Sequence, residues 1–274
     1  MRAASRESYT AAAERLLANA AQSDPAGVVA TANEILQVAG MLQREPRLRR
    51  ALADPARGGE ERAGLLRGLL AGKIGDGTLE VLVVLVAGRW SSAADLLDGT
   101  ERLGVEGLLA AADQAGDLGD VEDELFRFGQ LVSGDNRLAA TLGDVTAPAE
   151  QRASLLHDLL GGKVRPVTLR LAELALGGFG GRSFDAGLHR MVELAAARRD
   201  RQVAYVTAAQ PLTEAEEQRL AGRLTAMYGR EVSLKIEVDP EILGGLSVKV
   251  GSDLYDGTVL RRLNETRTAL AGRR

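Results

Sequence analysis

Residues 47–74 read RLRRALADPARGGEERAGLLRGLLAGKI, and residues 137–164 read RLAATLGDVTAPAEQRASLLHDLLGGKV. The two stretches align without a gap at a spacing of 90 residues (137 − 47). Leu48, Leu52, Leu65, Leu66, Leu69 and Leu70 meet Leu138, Leu142, Leu155, Leu156, Leu159 and Leu160. Asp54 meets Asp144, Glu60 meets Glu150, Arg62 meets Arg152, and Gly72-Lys73 meets Gly162-Lys163. A self-match at fixed spacing marks one structural unit used twice, and it decides how the surrounding chain is read.

Weaker matches extend the pairing outward. Residues 14–22 (ERLLANAAQ) match 106–114 (EGLLAAADQ), Glu34-Ile35-Leu36 matches Glu124-Leu125-Phe126, and Gly88-Arg89 matches Gly181-Arg182. The pattern predicts a duplicated helical domain, the first copy over 1–100 and the second over 101–200. Within residues 60–71 the leucines at 65, 66, 69 and 70 fall on one helical face. Gly72 then suits a helix end, where glycine accepts a left-handed backbone. The first copy is expected to hold further helices over 8–19, 27–43 and 78–87. The second is expected to hold counterparts over 121–131 and 168–176, with Thr146 and Pro148 opening another.

After about residue 201 the periodicity changes. VSLKIEV at 232–238 and LSVKV at 246–250 alternate apolar and polar residues, the period of a half-buried strand. Between them lie Asp239, Pro240, Gly244 and Gly245, a turn-forming set, so the two strands are expected to form a two-stranded unit. Residues 203–207 supply a third strand. Thr213 and Glu216 have the capping-box spacing ahead of a helix to about Tyr228. A last helix is expected from Asp256-Gly257, with Val259, Leu260, Leu263 and Leu270 as its apolar stripe. The fold class is therefore mainly α: two tandem helical-bundle domains and a small α+β domain over 201–274.

Composition narrows the function. The 274 residues are 45% hydrophobic, 26% charged and only 3% aromatic, with a net charge of −4. That mild acidity lacks the basic stripe of a nucleic-acid binder, and so few rings give no stacking platform for single strands. The chain has no cysteine, which removes disulfides, thiolate metal sites and cysteine nucleophiles. The opening MRAASRE lacks the apolar core of a signal peptide. The most apolar run, residues 79–87, contains Glu80 and is far shorter than the roughly 20 residues of a spanning helix. No direct membrane insertion is expected.

Candidate chemical sites fail on spacing. Gly68, Gly72 and Lys73 lack the P-loop interval and its following Ser or Thr, so Gly72-Lys73 reads as a helix cap. His157 and His189 lie far apart with no second histidine at i+4. Glu122-Asp123-Glu124 lacks the spacing and glycine of a calcium loop and reads as a solvated helix start. Gly244-Gly245 reads as a turn rather than a ligand loop. The cluster Arg198-Arg199-Asp200-Arg201 marks a helix end and a domain boundary. No catalytic, cofactor-binding or metal residue is expected, and no cofactor.

The tail carries a resemblance. Residues 235–251, KIEVDPEILGGLSVKVG, with Gly244, Gly245 and Gly251, resemble the signature of the delta subunit of bacterial F-type ATP synthases, whose mitochondrial counterpart is the oligomycin-sensitivity-conferring protein. Asp256-Gly257-Thr258-Val259 is similar to that family's Asp-Gly-Ser-Val element. Residues 5–12, SRESYTAA, are similar to its Arg-x-Tyr-Ala-x-Ala start, and Gly88-Arg89 and Gly181-Arg182 to its Asn-Gly-Arg loop. Ordinary members have one helical domain; this chain reads as having two.

The resemblance implies a non-catalytic peripheral-stalk subunit, one copy per complex and not a homo-oligomer, at the cytoplasmic face of the cell membrane. Its helical domain would grip the N-terminal segments of the alpha subunits, and its C-terminal domain would hold the C-terminal ends of the b subunits. Such a joint requires a durable apolar groove for an amphipathic helix. The expected partner-binding residues are Tyr9, Leu16, Leu82, Leu85, Leu169, Leu260, Leu263 and Leu270, with residues 78–87 and 168–176 as groove walls. Head contact is expected at the first copy, which holds the Tyr9 motif. The competing readings are a helical-repeat adaptor or regulatory scaffold unrelated to ATP synthase, and an enzyme with converging perturbed groups in a pocket.

Overall fold

The computed structural model describes residues 3–198, 202–228, 232–240, 242, 244–250 and 253–257. Its chain packs as two compact units, Met1–Met191 and Val192–Arg274. The first unit begins with α1 (Ala3–Ala20), α2 (Pro25–Arg44), α3 (Pro46–Leu52), α4 (Gly59–Leu70) and α5 (Asp76–Ala87). It continues with α6 (Ala93–Gln114), α7 (Leu118–Gly134), α8 (Asn136–Gly143), α9 (Ala149–Leu160) and α10 (Pro166–Leu176). A 3₁₀ turn at Phe179–Gly181 then leads into α11 (Phe184–Arg198).

The helices expected over 8–19, 27–43, 60–71, 78–87, 121–131 and 168–176 are α1, α2, α4, α5, α7 and α10, with ends moved by a few residues. Four helices were not expected: the long α6 and α11, and the short α3 and α8, whose seven or eight residues carry too few periodic positions to register. Their start signals are nevertheless local. Pro46 supplies a fixed φ at the first position of α3. The Asp135 carboxylate accepts from the amides of Arg137 and Leu138 at 2.9 and 3.0 Å, capping α8.

Positions 90 apart make the same hydrogen bonds. Glu34 on α2 accepts from the Gly75 amide and the Thr78 hydroxyl, fixing the start of α5. Glu124 on α7 accepts from the Arg165 amide at 2.9 Å and the Thr168 hydroxyl at 2.5 Å, fixing the start of α10. Asp54 takes the Ala56 amide and Asp144 the Thr146 amide, each at 2.9 Å. The Lys73 and Lys163 amides donate to the Leu70 and Leu160 carbonyls at 2.9 Å, beside Gly72 and Gly162 at φ of 72° and 69°. These left-handed glycines satisfy carbonyls that a helix end leaves unpaired.

α6 is the axis of the unit. Leu96, Leu103, Val105, Leu108, Leu109 and Ala110 are fully buried on it. A helix buried around most of its circumference lies between neighbours rather than on a surface. The boundary expected near residue 100 falls inside this continuous helix. α2 crosses α6 closely at two glycines: a Cβ on Gly104 would stand 2.5 Å from Leu36 Cγ, and one on Gly107 would stand 2.9 Å from the Ala32 Cβ.

The second unit holds β1 (Gln202–Ala208), α12 (Glu214–Tyr228), β2 (Val232–Val238), β3 (Leu246–Val250) and β4 (Asp253–Asp256). The sheet order is β2-β1-β3-β4. β1 runs parallel to β2, with Ala204 opposite Leu234, and antiparallel to β3, with Ala204 opposite Val250. β2 and β3 are therefore not neighbours, contrary to the two-stranded expectation. The strand expected to be a third addition, residues 203–207, lies between the other two. A parallel pair requires a crossover, and α12 supplies it between β1 and β2. Ala204, Val206, Val232, Val248 and Val250 bury one apolar cluster with Leu224 of α12. Asp256, expected to open a helix, ends β4. The last helix and its stripe lie outside the described residues.

Candidate partner interfaces

The expected contact residues divide by burial. Leu16 and Leu82 are 1% exposed, Leu85 0% and Tyr9 6%. All four belong to the core of the first bundle, so they support a surface rather than form one. The reason is geometric: the strongest apolar stripe of each helix is the one the bundle consumes. Tyr9 packs its ring beneath the Arg102 guanidinium, 4.5 Å from the ring centroid. Burial pushes its phenol pKa up, and Glu106 adds to the effect. Leu169 is half-buried on α10. Leu260, Leu263, Leu270 and Gly251 lie outside the described residues.

What remains exposed is the opposite side of the same helices. α5 reads LEVLVVLVA from residue 79, apolar nearly all round. Once Val81, Leu82, Leu85 and Val86 are buried, Leu79, Val83, Val84 and Ala87 are left half-buried. α1 lies antiparallel beside α5. The Ser8 hydroxyl donates to the Arg89 carbonyl at 2.7 Å, Arg15 pairs with Glu80, and the Asn19 amide donates to the Gly77 carbonyl at 3.0 Å. Along this seam α1 presents Ala11, Arg15 and Ala18, all exposed. The result is a face with small exposed residues on α1 and half-buried valines on α5. The Arg15–Glu80 pair is exposed, and such pairs contribute at most about 1 kcal/mol.

The second unit has a groove of its own. Leu212, Leu220 and Leu246 form its floor, and Glu216, Arg219 and Arg223 its rim, around about 250 Å³. It lies between α12 and the β3 end of the sheet. The capping box expected at Thr213 sets one side. The Thr213 amide and hydroxyl both donate to the Glu216 carboxylate, at 2.9 and 2.7 Å, and these bonds lower its pKa. The turn glycines of the sequence signature sit close by. Gly244 and Gly245 take φ of 140° and 85°, angles costly for other residues, and the Ala209 amide donates to the Gly245 carbonyl at 3.2 Å. The Gly257 amide donates to the Leu246 carbonyl at 3.0 Å, tying the Asp256-Gly257 element to β3.

Other charged groups have structural explanations. His157 meets Glu173 at 2.8 Å on the surface of α9 and α10. His189 lies near Asp185 one turn away on α11. Glu101 has a raised pKa because burial outweighs the hydrogen bond it accepts from the Gly180 amide. Among the described residues no group of three His, Asp or Glu side chains is arranged to hold a metal ion. No helix among them is long and apolar enough to cross a membrane.

The signal missed in the sequence is the exposed alanine face on α1. Ala11 and Ala18 are seven residues apart, and in an alanine-rich helix that spacing stands out from nothing. Sequence reasoning ranked leucines, and leucines went to the core.

Comparison with known proteins bears on the whole chain. Residues 105–270 match the family model described as ATP synthase delta (OSCP) subunit. The chain is 66% identical over 271 residues to ATP synthase subunit delta of Salinispora arenicola, covering 99% of each. It is 46% identical over 274 residues to ATP synthase subunit delta of Streptomyces griseus, covering 99% of this chain and 100% of that one. A chain in the cryo-EM structure of the Toxoplasma gondii mitochondrial ATP synthase hexamer overlaps 61% of this chain at a TM-score of 0.36 and 15% identity. Full-length identity of this order, together with the signature turn at Gly244-Gly245, settles the kinship: the chain belongs to the ATP synthase delta (OSCP) subunit family, the peripheral-stalk subunits of F-type ATP synthases.

Proposed function

We propose that this chain is the non-catalytic connector between catalytic head and membrane sector at the cytoplasmic face of the cell membrane, present once per complex. In this reading the helical unit holds an amphipathic N-terminal segment of an alpha subunit, and the α+β unit holds the C-terminal ends of the b subunits. The observation that carries it is the 66% identity to an ATP synthase subunit delta over 99% of both chains. Two surfaces of suitable chemistry accompany it. The α1–α5 face carries valines and alanines around the exposed Arg15–Glu80 pair, and the alanines allow close helix approach. The α12 groove pairs leucines with Arg219 and Arg223, which suits a helix end bearing carboxylates, since helix C-termini also carry negative dipole.

The duplication is read as an addition in front of the family's usual plan. The family model begins at residue 105, inside α6, so the second copy and the tail occupy the span of an ordinary member. The first copy would lengthen the joint.

The test is crosslinking in native membranes with separate variants on each surface. Val83→Glu is expected to lose the alpha-subunit crosslink and keep the b crosslink. Leu220→Glu with Arg223→Glu is expected to do the reverse. Capture of neither subunit by the unaltered chain would favour the adaptor reading.

A further inference from the structure

Residues 44–50, REPRLRR, set four arginines against one glutamate in a chain whose net charge is −4. Arg44 closes α2, and Arg47, Arg49 and Arg50 lie on α3. Arg47 and Arg50 stand three residues apart, on one helical face. Arg44, Arg47 and Arg50 are exposed and Arg49 is half-buried. Neighbouring arginines are engaged: Arg57 with Asp54 and Glu61, Arg67 with Glu60, and Arg62 with backbone carbonyls. Among the described residues no ion pair or side-chain hydrogen bond engages the four arginines of this cluster. The Arg49 Nε is buried with no hydrogen-bond partner, an arrangement that costs free energy.

Arginines at a helix C-terminus are ordinarily explained by the helix dipole. The repeat supplies the control for that explanation. At the matched positions 90 residues on, Gly134, Ala139 and Ala140 replace Arg44, Arg49 and Arg50, and Arg137 alone keeps its charge. The counterpart helix α8 has no basic residue in its last turn, yet Leu142 is as fully buried there as Leu52 is on α3. The element therefore folds and packs without the cluster. Beside Arg50 lies a cleft of about 390 Å³, whose lining includes Asp54, Trp90, Ser91, Ser92 and Ala93. Its acid is already engaged: the Asp54 carboxylate accepts from the Ala56 amide at 2.9 Å and lies 3.6 Å from Arg57. Arg50 at the rim has no such partner.

We propose that Arg44, Arg47, Arg49 and Arg50, with the cleft beside Arg50, dock an acidic protein segment, a short run of Asp and Glu on another polypeptide. A guanidinium is a planar fork of donors that matches a carboxylate. A bilayer surface is flat and would leave the cleft empty, and the exposed large apolar residue nearest in sequence is Leu17, too far along the chain to insert beside the cluster. Non-specific nucleic-acid binding uses exposed stacking rings, and Trp90, the ring that lines the cleft, is 6% exposed. A protein segment can lay carboxylates along the arginines and place a side chain in the cleft. This surface uses none of the residues of the α1–α5 face or the α12 groove, so it stands apart from the function proposed for them. The duplication thereby gives the first copy a surface that the second lacks.

The experiment titrates the full chain with a short, end-capped poly-glutamate peptide by calorimetry at low salt. Saturable binding of one peptide per chain is expected. It should be roughly tenfold weaker for Arg49→Ala with Arg50→Ala, the size expected of two exposed charge pairs, and unchanged for Arg137→Ala on α8. The two alanines are what the second copy carries at those places, so Tm is expected to stay the same. Absence of saturable binding, or equal weakening by Arg137→Ala, would overturn the proposal. A Tm that falls with the double substitution would overturn it too, by making the arginines structural. Tighter binding to phosphatidylserine vesicles, or to oligothymidine of matched charge, would overturn the choice of partner. A second measurement uses native membranes. The chain has no cysteine, so Ala51→Cys places a single thiol in the cleft wall for a photoreactive group. The crosslink is expected to map to an acid-rich stretch of another polypeptide. A neutral or basic stretch, lipid, or no adduct at all would contradict the assignment.

Discussion

At the scale of single residues, the repeat conceals an asymmetry in what paired residues carry. Arg62 is 4% exposed and donates to five backbone carbonyls, those of Asp54, Arg57, Val86, Ala87 and Gly88. Its counterpart Arg152 donates to two, Leu142 at 3.2 Å and Leu176 at 3.3 Å. Hydrogen bonds from a charged group are worth about 1.5–3 kcal/mol each and are not additive inside one network. Arg62→Met is therefore expected to cost about 3–4 kcal/mol and Arg152→Met about 1–2, read as a shift in urea midpoint at constant slope. Equal costs would mean the extra carbonyls find water instead. The sequence marked both arginines as matched positions, but nothing in it said that either was buried. Burial came from the chain folding its carbonyl ends around the guanidinium.

A second residue-level expectation concerns acid. Thr146 donates through its hydroxyl at 2.6 Å and its amide at 2.9 Å to the Asp144 carboxylate, holding its pKa below the usual value. A depressed carboxylate stabilises the fold above its unfolded pKa, about 3.9, and that contribution is lost as pH falls through the folded value. Asp144→Ala should thus flatten the acid limb of stability below about pH 4, measured by thermal melting across pH, while leaving the slope above pH 6 unchanged. A steeper acid limb would contradict the assignment.

At the scale of elements, legibility followed length and burial. Helices with a one-sided stripe (α2, α4, α7) were readable because burial and periodicity agree in them, and α5 by its continuous apolar run, whereas α6, buried around most of its circumference, was not read. α3 and α8 were too short to show a period. The sheet was misread in its pairing, since neighbouring strands in sequence are usually assumed to pair. The wholly apolar inward face of β1, Ala204, Val206 and Ala208, each at most 1% exposed, is what a central strand needs. The small residues on α6 were legible as glycines, but their purpose was not. Gly104 and Gly107 exist for the approach of α2, a long-range contact that no local pattern encodes. Gly107→Val is expected to overpack this crossing at a cost of about 1–3 kcal/mol. For a chain of this size that lowers Tm by about 2–12 °C, measurable by calorimetry. Gly129→Val, where an added Cβ meets nothing within 4 Å, is the control and should change Tm by less than half as much.

At the scale of the whole molecule, α6 makes the two helical copies one mechanical body. It closes the first bundle and opens the second, so bending between copies would require breaking a helix of 22 residues. A subunit that resists torque gains from such a continuous strut, since no hinge lies between its two bundles. Removal of residues 1–92 is expected to expose Leu96, Leu103 and Ala110 together, and the remainder should self-associate in gel filtration. Contiguous apolar surface of that kind drives association. A monodisperse remainder that keeps its helices would contradict the view that the copies share one core.

In the proposed function this chain transmits restraint between head and membrane sector and performs no chemistry. The direct measurement is ATP-driven proton pumping by membranes stripped of the chain and rebuilt with or without it. Pumping is predicted to require the chain, to fail with the Val83→Glu variant, and to return with unaltered protein, while ATP hydrolysis by the head persists throughout. Pumping of equal strength in its absence would contradict the account.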